Sequence, residues 1–379
     1  MTAIQLSSTD ERGAWMLAVL AKRTYTVASD GILRLAPEQV PLVHEPMFHP
    51  DTPSILLADT DLIALKPRTD FIVLGHTYGG GRRSYEATVA VRGKIAKRIL
   101  VSGTRVCAAG SNGEVFFSQP EPVDKIDLSY AHAYGGSFPL PSEPFSTLQR
   151  RQLESIAVAV ERDTAALMLY EYPRNPAGCG FLLEPTPEAV AALVLPNLED
   201  PLDPISPTRL AVINPDRWPT MPLPQSTGWF AHDWFPRIAY LGIPPLAPPP
   251  AEPVPETLRG YAPANFFDNA NRLADAFAFS QGASPGMQFP HFRGGETILL
   301  EYMHPKQAKY TVTLPTGVPK IWVDGRKGTM KETEPVIHTV IVEPDLDRVT
   351  LLWRGAAPAL RPYLPAELAK MPFRVEWPD

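Results

Sequence analysis

Proline limits this chain more than any other feature: 44 of its 379 residues are proline, while glycine, at 25, is ordinary. That is about twice the usual ~5% share. Each proline removes a backbone donor and fixes φ, so a helical bundle or a helical solenoid is excluded. The chain is still 44% hydrophobic, enough to bury a core, which rules out global disorder. Short strands joined by long, stiffened loops satisfy both facts.

Residues 14–118 read as a string of hairpins. Residues 15–27 make one strand, Ser29-Asp30-Gly31 a turn, and Ile32 to Leu35 the return. Phe71 to Leu74 runs to His76, and Gly79-Gly80-Gly81 is expected to turn. Tyr85, Ala87, Val89 and Val91 then alternate with polar or small residues, the period of a half-buried strand. Gly93-Lys94 turns the chain into a strand ending near Ser102, and Ser111-Asn112-Gly113 turns it again. Over 145–165, Leu148, Leu153, Ile156, Ala157 and Val160 recur at helical spacing, with Ser146 as cap, which predicts an inserted helix. Short helices are expected from Thr186-Pro187-Glu188 and over 268–279.

Residues 196–255 carry 16 prolines with Trp218, Trp229, Phe230, Trp234 and Phe235 interleaved. The segment reads as irregular chain wrapped over a core, with a linker only at 244–256. From 296 to 354 strands return, separated by turn clusters such as Asp324-Gly325 and Pro344-Asp345. The expected fold is mainly β, two meander or sandwich-like sheet layers with long Pro-rich loops and a few short inserted helices. A main domain over 14–295 and a C-terminal meander over 296–379 are expected to pack as one unit.

With 35 basic and 41 acidic residues the net charge is −6, which disfavours nucleic acid as a partner. Cys107 and Cys179 stand far apart with no CxxC pairing, so a zinc ribbon or a redox motif is excluded. The N-terminal residues lack the basic-then-apolar plan of a signal peptide. The apolar stretch from Ala14 to Ala21 is far short of the ~20 residues that span a bilayer. A soluble cytoplasmic protein without a membrane partner is the expectation.

Catalytic spellings fail on their chemistry. Gly282-Ala283-Ser284-Pro285-Gly286 matches GxSxG, but a nucleophile elbow needs a preceding strand and an N–H after the serine, and Pro285 has none. His44-Glu45 and His49 are spaced five apart, not four, and Pro46 forbids the zincin helix; Asp51 completes only a loop cluster. His132, His232 and His291 are isolated and read as structural, and His338 alternates with Val336 and Val340 as if on a core face. No catalytic residue, metal ligand or cofactor site is assigned, and the inventory does not look like an enzyme.

Four blocks in order do carry a resemblance. They are Asp61-Leu62 with Lys66-Pro67, Asp70-Phe71, Val73 and Gly75; Tyr130 with Tyr134-Gly135-Gly136; Asn175-Pro176 with Gly178 and Gly180-Phe181; and Leu195-Pro196-Asn197-Leu198-Glu199. The earlier Glu38-Gln39 with Pro41-Leu42, and Phe289 through Gly294-Gly295-Glu296, fit the same pattern. This succession resembles the bacterial domain of unknown function family 2169. The resemblance implies a non-enzymatic adaptor or chaperone that loads a toxic effector, or a PAAR-repeat tip protein, onto the type VI secretion spike in the producing cell's cytoplasm. The chain departs from the family pattern over 218–255, where Gly228-Trp229-Phe230-Ala231-His232-Asp233-Trp234 replaces a glycine-tyrosine-aspartate run before tryptophan.

On the residues themselves, Gly135, Gly136 and Gly178 suit positive φ or close chain approach. Asn175 and Asn197 suit side-chain bracing of loops, and Asp61, Lys66 and Asp70 an internal charge cluster with Tyr134 as further scaffold. The partner surface is expected at Trp218, Trp229, Phe230 and Trp234, or at an open edge strand. A carbohydrate-binding or carbohydrate-active β-sandwich is the alternative, because aromatic-rich sandwiches often hold sugars; it requires two converging carboxylates. Homo-oligomerisation through open β-edges stays open.

Overall fold

A computed structural model describes residues 2–112, 114–139, 169–183, 185–210, 218, 220–240, 276–324 and 329–378. The expected helix at 145–165, the linker at 244–256 and the start of the helix at 268–279 lie outside them. The protein is mainly β, with no barrel.

A seven-stranded sheet carries the first half of the architecture. Its long strand Trp15–Val27 is the apolar run read from the sequence, and it pairs along its whole length with Arg348–Pro358. Leu33–Leu35 returns after the Ser29-Asp30-Gly31 turn as expected. An N-terminal strand, Ala3–Thr9, pairs with Trp15–Ala21 and was not foreseen. Beyond Arg348–Pro358 come Val336–Glu343, then Thr69–Val73 in parallel, then the short Gln288–Phe289. A parallel pair cannot arise from a hairpin, so this sheet is mixed.

The second sheet holds five strands: Leu198–Glu199, Lys94–Ser102, Ser84–Val91, Thr297–Glu301 and Lys309–Thr313. Val19, Phe71, Val340 and Leu351 of the first sheet and Val89, Ile99, Ile298 and Val312 of the second belong to one buried apolar cluster. Each is essentially inaccessible, and aliphatic burial of this kind contributes about 1.5–3 kcal/mol per side chain. Of the C-terminal strands, Val336–Glu343 and Arg348–Pro358 lie inside the first sheet, Thr297–Glu301 lies inside the second with Lys309–Thr313 at its edge, and Lys320–Asp324, Met330–Glu332 and Phe373–Glu376 form a separate three-stranded sheet.

The glycine triplet is a correction. Gly79, Gly80 and Gly81 lie inside the strand His76–Arg82, which pairs with Val123–Asp127. A Cβ on Gly79 would stand 2.4 Å from the carbonyl oxygen of Val123, so the glycine is needed for close approach of two strands, not for a turn. The short helix Pro187–Ala191 forms where expected, capped by Thr186, whose Oγ1 accepts the Ala189 N–H at 3.2 Å. Among the described residues no helix is long and apolar enough to cross a membrane.

Candidate functional site

The tryptophan-rich segment comes first, because it was the expected partner surface. Trp218 and Trp234 are 0% exposed, and Trp229 and Phe230 4% each. Tyr130 packs edge-on against Trp234 with centroids 5.0 Å apart and against Phe230 at 5.7 Å. Trp218 lies 5.0 Å from Phe235 and 6.2 Å from Tyr172 in a second buried cluster. The segment thus staples two cores together. Trp218, Trp229, Phe230 and Trp234 cannot present their rings to a partner from these positions, and they cannot platform a sugar either. The sequence showed aromatics among prolines; long-range packing decided that they face inward.

Around them runs a buried ionic network. Lys66 and Asp70, 1% and 0% exposed, pair at 2.7 Å. Asp70 also accepts from Gln281 Nε2 at 2.6 Å and from the backbone N–H groups of Gly282 and Ala283 at 2.8 and 3.1 Å. Lys66 Nζ stands 5.5 Å from the Trp229 ring centroid, a cation–π distance. Asp61 does not join this pair. Its Oδ2 takes the Nζ of Lys22 at 2.7 Å and the Val43 N–H at 2.8 Å. Lys22 sits mid-strand in an apolar run, and that misfit was the available signal for its burial.

Asp59 forms the third knot, with Arg237 Nη2 at 2.6 Å and His232 Nε2 at 2.8 Å. Burial alone raises its carboxyl, but the His232 hydrogen bond and the Arg237 charge outweigh it and hold Asp59 well below the usual carboxylate range. Arg237 also donates to the carbonyls of Phe230 and Phe279 at 2.6 and 2.8 Å. These pairs pin the segments near 59–70, 228–240 and 279–283 to one another. None of Asp59, Arg237 and Gln281 was singled out from sequence, because their partners lie about two hundred residues away.

The glycine and asparagine blocks meet at a second node. Tyr134–Gly135 runs parallel to Cys179–Gly180. Asn175 Nδ2 donates to the carbonyls of Tyr130 and Tyr134 at 2.8 and 3.1 Å. A Cβ on Gly135, which has φ 153°, would meet the Asn175 carbonyl oxygen at 2.1 Å; on Gly178 it would meet Asn175 Nδ2 at 2.4 Å. Asn197 Nδ2 donates to Ser102 O at 3.0 Å, and its Oδ1 lies 3.2 Å from His132 Nδ1. Glu199 pairs with Arg105 at 2.6 Å. Gln39 bonds the backbone of Thr24 in both directions at 2.9 Å, and Glu296 accepts from the backbone of Arg293 and Gly294 at 3.0 Å. Most polar side chains of these blocks bond backbone or a counter-charge, while Tyr134, 1% exposed, packs edge-on against Tyr172 at 5.2 Å with its Oη buried and, among the described residues, unpartnered.

Ser284 is equally occupied. It is 0% exposed, its Oγ donates to the Gly228 carbonyl at 3.1 Å, and it lies 2.8 Å from Tyr130 Oη. The short helix Ala276–Phe279 precedes it, the opposite of the strand–serine–helix order of an elbow. His49 Nδ1 accepts the Asp51 N–H at 3.2 Å, a local turn bond.

The order of the blocks and their convergence bear on kinship. A family model described as an uncharacterised protein conserved in bacteria (DUF2169) matches residues 12–354. The chain belongs to that family. No curated protein and no solved structure gave a match.

One open feature of this DUF2169 chain adjoins the glycine node. A shallow cleft of about 380 Å³ is floored by Gly135, Gly136, Gly178 and Gly180 and walled by Phe138, Phe181, Leu193 and Val194. Cys179 lines it, but burial and then the nearby Glu199 push its thiol up to about 12, so it is protonated at neutral pH and a poor nucleophile. Among the described residues its lining offers backbone polar groups and apolar contact in similar measure.

Proposed function

We propose that this chain is a non-enzymatic adaptor that holds a toxic effector or a PAAR-type tip protein and helps load it onto the type VI secretion spike. The reading rests on the family blocks, whose succession is the one associated with effector-loading adaptors. The observation that carries it is how those blocks are used. Asp61, Lys66, Asp70, Gly135, Gly136, Asn175, Gly178 and Asn197 all brace backbone or bury counter-charges. A recurring pattern devoted to rigidity fits a protein whose task is to present a fixed surface, since preorganisation lowers the entropic cost of binding.

With the tryptophans inside the core, recognition passes to the sheet edge. Ala3–Thr9 ends the larger sheet, and among the described residues no strand pairs with its outer side. Lys22 N donates to Thr2 O at 2.7 Å, which fixes the hydrogen-bonding phase and turns the N–H and C=O groups of Gln5 and Ser7 outward. Such an edge can add a strand from a client by β-augmentation. The adaptor acts in the cytoplasm of the producing cell.

Affinity purification of the tagged full-length chain from its own host, followed by mass spectrometry, tests the proposal. Near-stoichiometric recovery of a spike protein or a PAAR-bearing toxin is expected. A protein that comes down alone from cells actively secreting would overturn it.

A further inference from the structure

Three large apolar side chains sit side by side on the surface next to the glycine-floored cleft. Val106 and Val194 face each other across an antiparallel bridge, and Phe116 pairs with Ala108 where Cys107–Ala109 meets Val115–Phe117. The Ser118 N–H donates to Val106 O at 2.9 Å, which carries that register one pair further. Residues directly opposite each other share a face, so Val194, Val106 and Phe116 point the same way. They are 66%, 62% and 54% exposed. The other face holds Cys107, Phe117 and Leu195, packed into the second buried cluster. One face of this small sheet thus lies on a core, while the solvent face is apolar where alternation normally places polar residues.

The stripe runs on into the cleft, because Val194 belongs to both. The cleft, about 380 Å³, adds the glycine floor, where another chain can approach the backbone closely, and the wall at Phe138. Single exposed apolar residues are ordinary, but a contiguous patch beside a cleft marks an interaction site. A polar residue at 106 or 194 would bridge the strands equally well, so packing does not explain the valines.

The exposed charges around this surface have one sign. Glu114 continues the alternation of Phe116 onto the solvent face. Glu171 stands opposite Ser137 on the cleft rim, and Glu188 belongs to the helix Pro187–Ala191, whose Ala189 lines the cleft. All three are exposed, and among the described residues neither Glu114 nor Glu188 has an ion-pair partner. The two basic residues of the same segments are turned inward. Arg174 is fully buried, and Arg105 pairs with Glu199 at 2.6 Å. No lysine or arginine described within 104–118, 133–139, 169–183 or 185–196 is exposed. Whatever covers this face meets apolar surface at its centre and carboxylates at its rim.

We propose that the cleft and the Val194–Val106–Phe116 stripe form one docking surface for an extended segment of a partner protein, with apolar side chains flanked by lysine or arginine. The apolar stripe supplies the affinity, and the carboxylates select the sign of the partner's charge. The proposal stands apart from the adaptor reading, since it requires neither a secretion spike nor the edge strand Ala3–Thr9.

Fluorescence anisotropy of a dye-labelled, amidated peptide of alternating leucine and lysine, titrated with the purified full-length chain, tests it. Two control peptides carry glutamate for lysine or serine for leucine. Saturable binding of the first peptide is expected, weakening as salt rises because the carboxylates are exposed. Each control should bind on the order of tenfold more weakly, which corresponds to ~1.4 kcal/mol. The double variant Val106→Ser with Val194→Ser should lose a similar factor while its thermal midpoint holds. Glu114→Gln with Glu188→Gln should still bind, with a flatter salt dependence. Should the serine variant not fold, hydrogen exchange of the unaltered chain decides: the peptide slows exchange over 106–117 and 185–194 and leaves Ala3–Thr9 unchanged. Absent or non-saturable binding, equal affinity for the lysine and glutamate peptides, or full affinity in the serine variant would each overturn the proposal. So would a dimer of the unaltered chain that the serine variant disperses, which would assign the surface to a second copy.

Discussion

Asp70→Ala is the perturbation that tests the buried ionic network most directly. The carboxylate is 0% exposed and gathers four donors: Lys66 Nζ, Gln281 Nε2 and the backbone N–H groups of Gly282 and Ala283. Its removal leaves the Lys66 ammonium, 1% exposed, without a counter-charge. Breaking one half of a buried pair costs about 3–5 kcal/mol. Two dry backbone donors add ~1–3 kcal/mol each, though the terms overlap because the same relaxation serves all of them. A loss of at least ~4 kcal/mol is expected, a large share of the ~5–15 kcal/mol that holds a typical domain. Lys66→Met should cost less, because Asp70 then keeps three of its donors. The double variant should be no less stable than Asp70→Ala alone, since the stranded charge is gone. Urea unfolding followed by tryptophan fluorescence reads all three, with Trp229 beside Lys66 as a local reporter. An Asp70→Ala cost below ~1 kcal/mol, or a double variant that loses the sum of both single costs, would refute the argument.

Other outcomes follow from the same geometry. Trp234→Ala is expected to cost about 3–5 kcal/mol and to collapse soluble yield, as large-to-small core changes do, and not to weaken a partner selectively; circular dichroism against binding separates the two. Gly178→Ala places a Cβ 2.4 Å from Asn175 Nδ2 and 2.5 Å from Ala133 O, so it should lower the thermal midpoint although its φ is not left-handed. Lys97 is pushed down to about 7 by burial, partly offset by Asp200, and its Nζ donates to Pro285 O at 3.2 Å. Its folded value lies below the unfolded ~10.4, so the unfolded chain binds the extra proton and stability should rise between pH 7 and 10 and level off above that. Lys97→Met should therefore raise the midpoint at pH 7 and flatten that rise, read from thermal scans across the pH series.

Much of the sheet architecture was legible locally. Period-two alternation at Tyr85–Val91 and the Asp30-Gly31 turn specify hairpins whose partners are next in sequence, and those hairpins formed. What was not legible has a common cause. The parallel pairing of Thr69–Val73 with Val336–Glu343 joins residues about 270 apart, and no local spacing encodes it. The pairs Lys22–Asp61 and Arg237–Asp59 are of the same kind: each residue carries a visible misfit, a charge within an apolar stretch, without naming its partner.

His338 shows how a local rule fails where it matters most. Alternation with Val336 and Val340 places all three on one face, yet the register passes from Val336↔Arg354 to Val340↔Leu351. Since 354 and 351 point to opposite faces of their strand, so do Val336 and Val340, and the one-residue slip between them is His338 itself. A bulge in a central strand disrupts the ladder and here leaves an imidazole nitrogen without a partner. The cost is hard to understand as packing alone, because a plain strand with an aliphatic residue would avoid it.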